Sequence, residues 1–330
     1  MREMIFRAVA LLLLATIFGA SGAKAQEKAK AEGTRLEVAV TFDDLLVNGE
    51  SLELGRIREM TSKLLKTFAE HRIPVVGFVN ERQLYRTPGE IDERVAILKM
   101  WVDAGLELGN HTFSHPSLHR TPVTVFEDDL IRGETVTRML LAGAGKKLRY
   151  FRHPFLQTGP TLEARATFEN FLKERGYTVA PVTVDNSDWM FNSVYTKAKS
   201  RGDRELMKRV GEAYVPYMDA VFDFHERAAQ TLFGRPVRQT LLLHAHELNA
   251  DYFGEVCDVM KRRGYSFVTL EEALKDEAYA EPDRYAGASG VSWFYRWDFT
   301  RGKKQIDWRA EPHVPDFVQK FYADERRQSR

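Results

Sequence analysis

"EVAVTFDD", residues 37–44, decides the reading of the fold. Its apolar body is that of a short buried strand, and it stops on two carboxylates, Asp43 and Asp44. The same grammar recurs down the chain. Ile57, Met60, Leu64 and Phe68 share one face of a helix, which leads to a second strand in "HRIPVVGFVN" (71–80). A helix over 91–104 precedes "GLELGNHT" (105–112), and one over 124–141 precedes "KLRYFRHP" (147–154). Another over 161–174 precedes "GYTVAPVTVD" (176–185). A long helix over 206–233 precedes "RQTLLLHAHE" (238–247), and one over 251–263 precedes "GYSFVTL" (264–270).

Alternating helices and short apolar strands imply parallel strands with helical crossovers, an α/β fold. About six or seven such units in about 240 residues fit either a barrel or an open doubly wound sheet. The polar residues choose between them. Asp43, Asp44, His111, Arg152, Asp185 and His244 all follow the end of an expected strand. A barrel converges those ends on one face, whereas an open sheet spreads them along an edge. The expected fold is therefore a (β/α) barrel.

The first 25 of the 330 residues stand apart. Arg2 and Arg7 precede a short apolar run, and "AKA" at 23–25 is a small-residue cleavage pattern, so 1–25 reads as a secretory signal peptide. A periplasmic or extracellular location follows, with no stable membrane insertion after cleavage. Residues 26–34 are polar and read as a flexible leading segment, 35–275 as the barrel domain, and 276–330 as an aromatic-rich extension packing on it. The chain carries 48 basic and 47 acidic residues. That balance gives no general attraction to nucleic acid or anionic membranes. A single cysteine, Cys257, cannot form an internal disulfide and sits on an apolar helical face.

The chemistry starts with "GNHTFSHP" (109–116). His111 and His115 are four residues apart, a spacing that places two imidazoles together on a helical turn and begins many zinc sites. One carboxylate of "TFDD" with two histidines makes three protein ligands, the count of an open catalytic centre. The second carboxylate is then free to activate a bound water. Arg152, in "RHPF", is placed to pair with a carboxylate in the mouth, and Pro154 stiffens the turn so that the Phe155 N–H points at a ligand. "VDNSDWMF" adds Asp185, Asp188 and Trp189. His244, after an apolar strand, suits a general acid oriented by a carboxylate, with His246 as its rival.

Five stretches in order, "TFDD", "HTFSH", "RHPF", "DNSDW" and "LLLH", resemble the motifs of the polysaccharide deacetylases of the NodB-homology type, carbohydrate esterase family 4. The resemblance covers roughly residues 36–275. It implies a distorted β/α barrel and one divalent metal, usually zinc, with cobalt, nickel or manganese as substitutes. It makes Asp43 the general base and Asp44, His111 and His115 the metal ligands. Arg152 would position and tune the base, Phe155 would give a backbone oxyanion contact, Asp185 would orient the acid His244, and Trp189 would line the substrate pocket. Phe155 stands where the family often has tyrosine, and His153 replaces a frequent proline.

The implied reaction is hydrolysis of the acetamido group of N-acetylhexosamine units in an N-acetylated aminosugar polymer, peptidoglycan foremost for an exported protein. Chitin-like glycans, a small amide or O-acetyl ester, and glycan binding without catalysis are the competing readings.

Overall fold

The computed structural model describes residues 35–49, 52–302 and 304–328. The expected signal peptide and the leading segment 26–34 lie outside them. Along the first strand, β1 (Leu36–Leu45), side chains alternate between two environments, as a period of two requires. Val38, Val40 and Phe42 join the outer core, where the Phe42 ring lies 5.1 Å from that of Phe68 and 5.3 Å from that of Phe253. Ala39 instead joins Val76, Phe78, Tyr150 and Ala180 in an inner cluster. One strand thus serves both the helical layer and the barrel interior.

The other strands are β2 (Val75–Val79), β3 (Glu107–Asn110), β4 (Tyr150–Phe151), β5 (Thr178–Val179), β6 (Gln239–His244) and β7 (Tyr265–Phe267). All pairings are parallel, in the order β5-β4-β3-β2-β1-β6, with β7 also pairing β1. The sheet curls. After β5 the chain crosses to the opposite edge, where Val184 bridges Leu241 of β6. Five extended residues reach at most about 18 Å. In a flat sheet the same crossing would need about 29 Å, at roughly 4.8 Å per strand. The short link from Val179 to Val184 therefore demands curvature, and the expected distorted barrel is what forms.

Helices cover the outside: α1 (Leu54–His71), α2 (Ile91–Asp103), α3 (Val123–Arg132), α4 (Thr135–Gly143), α5 (Leu162–Glu174), α6 (Asp188–Ser200), α7 (Arg204–Phe233) and α8 (Glu247–Arg262). The single helix expected over 124–141 is two. The break falls at Gly133, where a Cβ would lie 2.5 Å from the backbone of Thr112 and Phe113. Only glycine lets the helix end that close to the histidine loop. Cys257 is fully buried on the inner face of α8.

A short helix, α9 (Leu270–Ala273), ends the barrel, and the extension adds α10 (Trp293–Arg301) and α11 (Asp316–Gln328). Trp293, Phe294, Trp297 and Ile306 form a second core with Leu156, Val182, Phe224, Ala228 and Leu242. Among the described residues no helix is long and apolar enough to cross a membrane.

Candidate active site

A β-bulge builds the first half of the site. Phe42 pairs with Gly77 and Leu45 with Val79, so Asp43 and Asp44 together oppose one residue. Regular alternation would send adjacent side chains to opposite faces; a bulge re-aims one of them. Asp44 takes the left-handed conformation at φ 61°. Both carboxylates thereby reach one cleft of about 790 Å³ at the strand ends. In the register of β1 with β6, Asp43 pairs with His244, which places the two on neighbouring strands.

Asp44, His111 and His115 offer ligand atoms that all lie within 4.8 Å of one another. Asp44 Oδ1 is 3.6 Å from His111 Nε2 and 3.6 Å from His115 Nε2. Ligands about 2.0–2.1 Å from a tetrahedral ion lie about 3.4 Å apart, so these residues fit a metal. The tautomer fits too. His111 Nδ1 is 2.8 Å from the Arg152 carbonyl, which can only accept, so Nδ1 carries the proton and Nε2 keeps its lone pair. Asn48 Nδ2 donates to Asp44 Oδ2 at 2.6 Å and leaves Oδ1 free.

The histidine loop is strained and held. Thr112 and His115 have φ of 67° and 59°, each costing on the order of 1–3 kcal/mol. Asp129 of α3 offsets this by accepting the N–H groups of Phe113 and Ser114 and the Ser114 hydroxyl. Thr112 Oγ1 accepts the His115 N–H. His111 and His115 therefore meet through a loop, not on the helical turn that their spacing suggests.

Asp43 is buried, and burial raises its carboxyl to about 6 against the lowering pull of Arg152 and His244. Its Oδ1 accepts no hydrogen bond among the described residues. Asp44 is also desolvated, but His115, His111, His244 and the Asn48 hydrogen bond outweigh that and hold it near 2. Arg152 departs from its expected place in the mouth. It is fully buried inside the barrel, donates to Thr41 Oγ1 at 2.8 Å and lies 4.7 Å over the Phe78 ring. Its charge reaches Asp43 through space, without a direct bond.

A second correction concerns Asp185. The carboxylate on His244 is Asp188: His244 Nδ1 donates to Asp188 Oδ1 at 2.7 Å, and the His244 N–H donates to Oδ2 at 2.8 Å. Asp185 turns its Oδ1 to the N–H of Asn186. It lines the cleft, and burial with the nearby Glu311 raises its carboxyl to about 7. Burial disfavours a charged His244, yet Asp188 overrides it and lifts the imidazole to about 9. His246 is spent elsewhere: its Nδ1 accepts the Asn249 N–H at the start of α8, and Nε2 lies 3.2 Å from Asp188. Asn249, absent from the sequence reading, donates to Asp188 Oδ2 at 2.8 Å.

Phe155 is half exposed and its ring packs 4.3 Å from that of His115. Trp189 lines the cleft and meets Tyr322 of α11 edge-on at 5.3 Å.

Residues 30–180 match the family model described as polysaccharide deacetylase. The match takes in just under half of the chain. The chain is 28% identical over 158 residues to the peptidoglycan-N-acetylglucosamine deacetylase of Bacillus cereus, and the match covers 47% of each protein. The chain thus spans about half the length of that curated relative. Among solved structures, it is similar to a family 4 carbohydrate esterase from Streptomyces lividans in complex with acetate, at 18% identity and a TM-score of 0.45. That match covers 73% of this chain and 96% of that one. A CE4 family pseudoenzyme from Bacillus anthracis matches at 19% identity and 0.46, over 73% of this chain and 66% of that one.

Proposed function

We propose that this protein is a polysaccharide deacetylase: an exported, metal-dependent N-deacetylase that hydrolyses the acetamido group of N-acetylhexosamine units, with peptidoglycan the favoured polymer. The observation that carries the reading is one cleft holding Asp44, His111 and His115 at ligand spacing beside a free carboxylate, Asp43, and a carboxylate-held imidazole, His244. Two imidazoles and a carboxylate suit zinc, with cobalt, nickel or manganese as substitutes. A bound ion would supply Lewis acidity at the acetamido carbonyl and acidify a water.

The chain's own groups do the proton work. Asp43, with an unengaged oxygen, takes the proton of the attacking water. His244, held protonated by Asp188, gives a proton to the departing amine. Burial raises Asp43 to about 6 and Asp188 lifts His244 to about 9, so the two stand on either side of neutral pH as a base and an acid. The Phe155 N–H is the proposed donor to the tetrahedral oxyanion. Water oxygen ends on acetate, the C–N bond breaks, and the sugar keeps a free amine. Trp189 lines the substrate side.

The test is acetate release by the mature, zinc-loaded protein from intact peptidoglycan, with an N-acetylglucosamine oligomer in parallel. Release from peptidoglycan supports the reading. Release mainly from the oligomer moves the substrate toward chitin-like glycans, and release from neither overturns the deacetylase.

A further inference from the structure

The turn that carries Phe155 is strained twice in succession. Phe155 and Leu156 have φ of 57° and 53°, both in the left-handed region that side chains disfavour. Such a conformation costs on the order of 1–3 kcal/mol per residue and persists only where the surroundings over-determine it. Those surroundings come from the C-terminal extension, beyond the five motifs.

Gly290 lies against the Phe155 carbonyl so closely that a Cβ would sit 1.6 Å from the oxygen and 3.2 Å from Leu156 Cβ. Its neighbour Ala288 accepts a hydrogen bond from Gln157 Nε2 at 2.7 Å. Arg296, fully buried, directs one Nη to the Leu156 carbonyl at 3.4 Å and the other to the Thr158 hydroxyl. It is itself fixed by Asp283 at 2.6 Å and lies 4.6 Å over the Trp293 ring. Arg165 of α5 holds Asp283 from the other side at 2.9 Å. Two further bonds anchor the segment to the barrel seam: Ser292 Oγ donates to the Thr183 carbonyl at 2.6 Å, and the Trp293 N–H to that of Val182 at 2.7 Å.

We propose that residues 283–297 are a positioning element for the Phe155 turn, with Gly290 and Arg296 as its positioning residues. By fixing the carbonyls that follow the Phe155 and Leu156 Cα atoms, the element holds Phe155 at its left-handed φ, the torsion that relates its own N–H to the anchored carbonyl side, and so sets the aim of that N–H. Neither residue touches the reacting atoms; both act through Phe155. The inference rests on the deacetylase reading above.

The test compares Gly290→Ala and the milder Gln157→Met with the wild-type protein. A misaimed oxyanion donor lowers kcat with little change in KM, because the contact forms only in the transition state. Loss of one such donor costs about 10²–10³-fold. We expect Gly290→Ala to lower kcat at least about tenfold and Gln157→Met about threefold. A tetrahedral phosphonate analogue should lose affinity in parallel, while zinc stoichiometry and circular dichroism stay unchanged. If Gly290→Ala does not fold, Gln157→Met decides. Folded variants that keep wild-type kcat and analogue affinity overturn the proposal. If the wild-type protein itself releases no acetate, the deacetylase reading fails first, and the two failures are told apart.

Discussion

Asp188 grips His244 twice, with Oδ1 on the imidazole at 2.7 Å and Oδ2 on the backbone N–H at 2.8 Å. The carboxylate thereby sets both where the ring sits and which nitrogen faces the cleft. Because Nδ1 is occupied, Nε2 is the atom left to serve a leaving group.

Asp188→Asn should therefore cost far more than Asp185→Asn. An amide can present its oxygen to only one of the two His244 donors and leaves the imidazolium without a counter-charge. The expected fall in acetate release is about 10²–10⁴-fold for Asp188→Asn, the range of a lost acid–base group. For Asp185→Asn it is under about tenfold. Equal losses would return the orienting role to Asp185.

Adjacent carboxylates should separate cleanly by substitution. Asp43→Asn is expected to abolish turnover while zinc content, read by elemental analysis, stays close to wild type. Asp44→Ala should lose both, since it removes the atom 3.6 Å from each imidazole. A chelator should silence the wild-type protein and added zinc restore it. Loss of zinc from Asp43→Asn would reverse the assignment of the pair.

How much of this site is legible in the sequence depends on what each residue's backbone is doing. Asp43, Asp44, His111 and His244 stand at the ends of apolar strands, which is enough to bring them to one end of a barrel, but alternation alone would part the two aspartates, and only the bulge turns both into the cleft. The sequence offers Asp188 as a candidate, but the family pattern gives its role to Asp185, because the segment after β5 is not a continuous strand. It makes one bridge at Val184, turns through Asn186 and begins α6 at Asp188, so the first carboxylate, Asp185, is not the one aimed at His244. The signal lay in an aspartate opening the helix "DWMFNSVYTKAKS", a favoured first-turn residue. Asp129 and Asn249 carry no such mark; they matter through loops that only tertiary structure brings near. Arg152 was misplaced for a similar reason: one residue beyond a two-residue strand still points into the barrel.

His244 should also leave a trace in stability, measured on chelated protein to keep metal out. Its folded value of about 9 lies above the unfolded 6.5. The protonated imidazole therefore stabilises fully below pH 6.5, and that contribution is lost as pH rises through 9. The melting temperature should fall across pH 6.5–9, and fall less in His244→Gln. Parallel curves for the two proteins would mean that the Asp188 pairing adds nothing to folding.

Trp297, 1% exposed in the second core, offers a test of the extension. Trp297→Ala should destabilise the protein by about 3–5 kcal/mol in urea unfolding, the usual cost of emptying a buried aromatic site. A two-step unfolding curve in the variant, with the barrel transition unmoved, would mark the extension as an independent unit.

The seam of the barrel has a consequence for how the chain reaches its final form. Val182 and Thr183, beside β6, are bonded by Trp293 and Ser292, more than a hundred residues later. Contacts of such sequence separation are slow to form, and large β/α chains pass through partly assembled states. While the chain is being synthesised, every strand can be in place before the segment that locks the Phe155 turn has emerged. Assembly of the oxyanion side of the cleft is thus deferred to the last stretch of the polypeptide, and a nascent or C-terminally clipped molecule would hold its metal ligands but not a set Phe155 turn.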